Sequence, residues 1–208
     1  YIVMEYLDGI DLKDYINKNG AIPPERLFRM LDPIMQALSG IHDQGLIHRD
    51  ISPDNIRILK NGHVKLLDFG AAREVTGDKS LSVVLKHGYA PEEQYRTKGK
   101  QGPWTDVYAL CAVLYRMLTG ETPVPAMDRM FQDELKTFDK FHTKVSANTS
   151  AAILKGLAVK KADRIQSVQE LIGALYEGAK VKTASGAGKV GRNKMGLYAG
   201  ISAAAVAV

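Results

Sequence analysis

A mainly helical α+β domain is predicted by three observations. Leu27, Met30, Leu31, Ile34, Leu38 and Ile41 recur at helical spacing and mark an amphipathic helix. Residues 104–118 form an almost wholly apolar run ended by Gly120, which reads as a helix buried on all sides. Strand signals are few: an alternating segment over residues 1–7 and one hairpin centred on Asn61-Gly62. With 208 residues, 45% hydrophobic and 25% charged, the chain can bury one good core.

The elements follow in order. Aromatic and β-branched residues alternate over 1–7 as a strand, which Asp8-Gly9 ends. Asp11 can cap a short helix through Asn17, with Gly20 as its stop. Pro23 and Pro24 open the longer helix, Pro33 lies inside it and should bend it, and Gly45 closes it. Ile56, Ile58, Val64 and Leu66 flank the Asn61-Gly62 turn, so the hairpin begins after Asn55 and ends just before Asp68, bringing two polar side chains near each other. Residues 71–89 lack periodicity and read as a long surface loop of the kind that is usually functional. Beyond the apolar helix, further helical stretches fit 128–137, 149–158 and 166–177.

Charge is unevenly placed. Lys180, Lys182, Lys189, Arg192 and Lys194 are five of the 28 basic residues, and the other 23 are matched by 23 acidic ones. Residues 1–178 are therefore neutral, and nucleic acid is not the expected partner. The tail has linker composition around Gly186, Gly188 and Gly191, then turns apolar from Met195 to Val208. A spanning helix needs about 20 residues, so residues 197–208 read as the start of a truncated membrane span, with a short small-residue packing segment as the alternative. Cations before an apolar run would leave residues 1–194 in the cytoplasm, anchored in the cell membrane by one helix. The sole cysteine, Cys111, excludes an intrachain disulfide and reads as a small buried hydrophobe.

The chemistry lies in three ordered motifs: His48-Arg49-Asp50-Ile51-Ser52-Pro53-Asp54-Asn55, then Asp68-Phe69-Gly70, then Ala90-Pro91-Glu92. Phosphoryl transfer needs metal ions held on phosphates and a hydroxyl held in line. Asp68 and Asn55 offer hard oxygen ligands for Mg2+ or Mn2+, and Asp50 offers a carboxylate that can orient a hydroxyl and accept its proton. Taken singly, each of these residues fits an ordinary capped turn; the ordered set does not.

With these motifs the chain resembles the protein kinase family, in its bacterial, eukaryotic-like serine/threonine branch, over nearly all of residues 1–178. The resemblance implies the C-terminal lobe of a kinase: a hinge-strand remnant at 1–7, the lobe at 8–178, a basic juxtamembrane linker at 179–194 and the membrane segment from 195 to 208. It implies ATP as cofactor and proteins as substrates. Met4 becomes the gatekeeper, Glu5 and Leu7 offer backbone groups to adenine, and Asp11 lies near the ribose. His48 and Phe69 resemble the packed pair joining the catalytic and metal-binding loops. Asp106 resembles the carboxylate that braces the catalytic loop, and Arg164 the arginine that pairs with the glutamate of the Ala-Pro-Glu element, here Glu92. Arg49 can clamp a phosphate on the activation loop, where Thr76, Ser80 and Ser82 are candidate sites. Antibiotic phosphotransferases share the carboxylates but typically lack that arginine and the Ala-Pro-Glu element.

The chain departs from the family at several places. Ser52 stands where a serine/threonine kinase has a lysine that meets the transferred phosphate, so charge neutralisation is weaker unless another cation replaces it. Arg57 stands where an apolar residue usually lies under adenine, and it either stacks on the purine or fills the pocket. The threonine expected before Gly88-Tyr89-Ala90-Pro91 is absent, with Lys86 and His87 near its place. The glycine-rich loop, strand lysine and helix glutamate of a small lobe are expected before Tyr1. The expectation is a membrane-bound serine/threonine kinase of which these residues alone are inactive; the alternative is a pseudokinase-like receptor or scaffold.

Overall fold

The computed structural model describes residues 5–68, 73–74 and 85–176, with the backbone alone at 73–74. Helices dominate: α1 (Leu12–Asn19), α2 (Pro24–His42), α3 (Pro103–Thr119), α4 (Ala126–Arg129), α5 (Ala147–Gly156) and α6 (Val168–Tyr176). Five short strands accompany them: β1 (Gly9–Asp11), β2 (Leu46–Ile47), β3 (Ile56–Leu59), β4 (Val64–Leu66) and β5 (Arg73–Glu74). The antiparallel sheet runs β1-β3-β4, and β2 pairs with β5.

The apolar run becomes α3, which touches α2, α5 and α6 and has Leu110, Leu114 and Leu118 fully buried. Pro103 occupies its first turn, where a missing N–H costs nothing, and Gly120 ends it at φ 78° by donating its N–H to the Arg116 carbonyl. Around it, Leu31, Met35 and Leu38 of α2 and Ile153 and Leu171 of α5 and α6 complete one core. Fully burying each such side chain contributes roughly 1.5–3 kcal/mol before entropy is counted. Cys111 of α3 is buried against Gly156 of α5, where a side chain would run into its sulfur. The helix α2 continues through Pro33, which has no N–H to offer the Arg29 carbonyl one turn earlier.

Two elements differ from the sequence expectation. Within residues 5–8 there is no strand; the strand is Gly9–Asp11. Gly9 does not stop a strand but permits one, because a Cβ there would collide with the Ile58 carbonyl across the pair. The expected helix over 128–137 is the short α4 followed by irregular backbone. There Arg129 turns inward to the Leu157 carbonyl, and Asp133 folds back onto it in a bidentate ion pair that ends the helix instead of extending it.

Candidate active site

The loop from His48 to Asn55 leaves β2 and is shaped from below. The Asp106 carboxylate, fully buried on α3, accepts the His48 N–H at 2.7 Å and the Arg49 N–H at 2.8 Å. His42 of α2 shares a 2.7 Å hydrogen bond with the same carboxylate. These bonds hold Arg49 at φ 71°, a left-handed conformation that a bulky side chain adopts only when its surroundings enforce it. The Arg49 carbonyl accepts from Gln94, and its Nε donates to Gln101 at 2.7 Å. Burial depresses the His48 pKa, against the pull of Asp106 and Asp50, so its ring favours the neutral form.

Asp50 is held from the side. Asn55 Nδ2 donates to both the Asp50 carbonyl and its Oδ2, each at 2.8 Å. A tight turn over Pro53–Asn55 supports this, with the Asn55 N–H bonded to the Ser52 carbonyl at 3.0 Å. The Asn55 carbonyl in turn accepts from Leu67, which ties the loop to the far end of the hairpin beside Asp68. Asp68 has φ 58°, a second left-handed non-glycine residue at the same site. Because the Asn55 amide nitrogen is spent on Asp50, its Oδ1 remains as an oxygen donor. With the Asp68 carboxylate it suits a hard divalent cation that takes only one or two protein ligands. Such a cation, when bound, would neutralise phosphate charge. Among the described residues no group of three or more His, Cys, Asp or Glu could hold a metal without a substrate's help.

Lys86, half-buried at the end of the long loop, was absent from the sequence-predicted site. Its ammonium donates to Ser52 Oγ at 2.9 Å and lies 3.6 Å from Asp50 Oδ1. The readable signal was double, a hydroxyl at 52 in place of lysine and lysine at 86 near the place of a hydroxyl, but only the fold brings the two together.

The fold also arranges the residues expected to meet the nucleotide. Arg57 and Asp11 are cross-strand partners of β3 and β1. Arg57 Nη1 bonds Asp11 Oδ1 at 2.7 Å and its Nε bonds the Leu7 carbonyl at 3.1 Å. Arg57 is thus engaged by Asp11 and the Leu7 carbonyl. Glu5 is exposed and its side chain pairs with Lys65. Met4, Phe69, Thr76, Ser80, Ser82 and the tail from residue 177 lie outside the described residues.

The expected ion pair of Arg164 with Glu92 is corrected. Arg164 pairs with Glu93, Nη1 to Oε1 at 2.8 Å and Nη2 to Oε2 at 3.2 Å, and both residues are buried. Thr105 also donates to Glu93 at 3.0 Å. Glu92 instead lies one residue off the buried position and pairs with half-exposed Arg96. Two adjacent glutamates made the sequence ambiguous, and the turn over Glu92–Gln94 turns only the second into the core.

Comparison with known proteins agrees with this architecture. The protein kinase domain model matches residues 1–177. The chain is 36% identical to serine/threonine-protein kinase PknB of Mycolicibacterium smegmatis over 82% of its own length and 29% of that protein's. It is 32% identical to a probable serine/threonine-protein kinase, SCO3848, of Streptomyces coelicolor over 95% of its length and 31% of that protein's. A solved structure, PpkA-294 in apo form, aligns with a TM-score of 0.70 and 32% identity, covering 82% of this chain and 61% of that one. The chain thus spans about three tenths of the curated relatives it matches. With a braced His-Arg-Asp loop, a carboxylate at the end of the following hairpin, and a kinase domain match over 1–177, the chain belongs to the protein kinase family.

Proposed function

We propose that the protein transfers the γ-phosphoryl group of ATP to serine or threonine hydroxyls of other proteins. The observation that carries this reading is the setting of Asp50. One carboxylate oxygen is pinned by Asn55 and the other faces an ammonium across 3.6 Å, leaving it able to receive a hydroxyl proton. Asn55 and Asp68 would hold the divalent ion. Asp11 and the backbone around Glu5 and Leu7 would meet the nucleoside, and Arg49 would organise the loop above. The strained φ at Arg49 and Asp68 supports a functional loop, since strain of this kind clusters at working sites.

The test uses full-length protein, MgATP and a generic protein acceptor. Phosphate transfer that disappears in Asp50→Asn, with an unchanged melting temperature, supports the reading; a wild type that transfers nothing overturns it. Residues 1–208 alone are expected to bind ATP weakly and transfer negligibly, because they contain no glycine-rich phosphate loop followed by a strand lysine.

A second reading, a scaffold that binds partners without catalysis, is favoured by one observation: Arg57 occupies Asp11 and the Leu7 carbonyl. No thermal shift of the full-length protein with MgATP would support that reading over the first. For the tail, we propose a basic juxtamembrane linker leading into a membrane segment. Among the described residues no helix is long and apolar enough to cross a membrane, and the proposed segment lies outside them. Release of the full-length protein from membranes by alkaline carbonate would end that proposal.

A further inference from the structure

We propose that Lys86 is the catalytic cation of this site, contacting the transferred phosphoryl group in place of the lysine that position 52 lacks. The proposal rests on the kinase reading above. In the reaction, the acceptor oxygen forms a bond to the γ-phosphorus as the bond from that phosphorus to the β,γ-bridging oxygen breaks. The hydroxyl proton passes to Asp50, and ADP leaves with the bond's electron pair. Negative charge is spread over the three non-bridging oxygens during transfer, and a fixed cation there stabilises the transition state more than the ground state.

Geometry selects Lys86 for that place. Asp50 Oδ2 is occupied by Asn55, so an acceptor hydroxyl approaches Oδ1, and Lys86 Nζ lies 3.6 Å from that atom. In the proposed arrangement the phosphoryl group in line with that hydroxyl meets the ammonium. Ser52 is fully buried, with its hydroxyl accepting from Lys86 at 2.9 Å. A lysine at 52 would compete for the space and charge position that Lys86 fills, so the serine and the lysine form a complementary exchange. Lys86 is also anchored through its backbone: its carbonyl accepts the N–H groups of Tyr89 and Ala90, both buried. Among the described residues, Arg49 bonds Gln101 and Lys13 pairs with Asp54.

The test compares full-length wild type with Lys86→Met, Lys86→Arg, Lys86→Thr and the exchange variant Ser52→Lys with Lys86→Thr. Lys86→Met is expected to lower kcat by about 100- to 1000-fold while KM for ATP changes by less than about threefold. Lys86→Arg is expected to keep at least about a tenth of kcat, and the exchange variant to recover at least about tenfold over Lys86→Thr. Lys86→Met within about threefold of wild-type kcat, or an exchange variant no more active than Lys86→Thr, overturns the assignment. Should Lys86→Met lose its fold by melting temperature, the exchange variant decides, since it restores charge without restoring the Lys86 side chain. A wild type that transfers phosphate, with Asp50→Asn inactive and Lys86→Met active, removes the Lys86 role and leaves the kinase reading standing. A wild type without activity removes both.

Discussion

Arg164 and Lys86 each meet a carboxylate in this lobe, one in its buried floor and the other at a half-open rim. Arg164 is 2% exposed and has all five of its N–H donors bonded, to Glu93 twice and to the carbonyls of Trp104, Ala158 and Val159. Lys86, on the open side, has two partners, one a hydroxyl and the other a carboxylate at 3.6 Å. The floor is closed: its charges are satisfied inside the protein and can stabilise only the protein. The rim is half-open, so its charges retain donors and acceptors for a ligand. The same division separates Asp106, whose oxygens take two backbone N–H groups and His42, from Asp50, whose Oδ1 meets the Lys86 ammonium at 3.6 Å.

On this division the largest loss of stability comes from the floor. Glu93→Gln leaves Arg164 as an uncompensated buried charge, and urea denaturation should register a loss of about 3–5 kcal/mol. Glu92→Gln, one residue away with a half-exposed partner, should cost at most about 1 kcal/mol. Equal costs for the two glutamates would break the comparison. Next, Asp106→Asn replaces one acceptor oxygen with a donor facing a backbone N–H, which should cost about 2–3 kcal/mol. Amide exchange at His48 and Arg49 should quicken with it. Gly156→Ala tests the packing behind the floor. Overpacking against Cys111, partly offset by better helix propensity, should lower stability by about 1–2 kcal/mol. The smallest effect is a pH slope. Burial lowers the His48 pKa in the folded state, so the unfolded chain binds more protons and stability is lost as pH falls below the unfolded value, about 6.5. Melting temperature should therefore decline from pH 7 toward 5.5, and His48→Phe should flatten that decline.

Much of the fold was legible because its signals are local. The turn at Asn61-Gly62, with Gly62 at φ 81°, and the apolar run of α3 depend on residues adjacent in the chain. What was not legible depends on partners far away. Gly9 looks like a strand stop until β3 lies beside it, with Leu59 opposite and the Ile58 carbonyl where a Cβ would sit. Arg129 and Asp133, four apart, look like a pair on a helix, yet Leu157 draws the arginine inward. At the site, the motif residues were readable as a set, but the choice between Glu92 and Glu93 needed the position of Arg164. The tie between Lys86 and Ser52 spans 34 residues, and no spacing rule could have announced it.

Cys111 has a practical consequence for spectroscopy. It is the single cysteine of the 208 residues, it is fully buried, and burial pushes its thiol pKa up, so the thiolate that reacts with maleimides is suppressed in the folded lobe. A cysteine introduced at Phe131, which is 91% exposed, would then be the only thiol in these residues that takes a dye or spin label, with no need for a cysteine-free background.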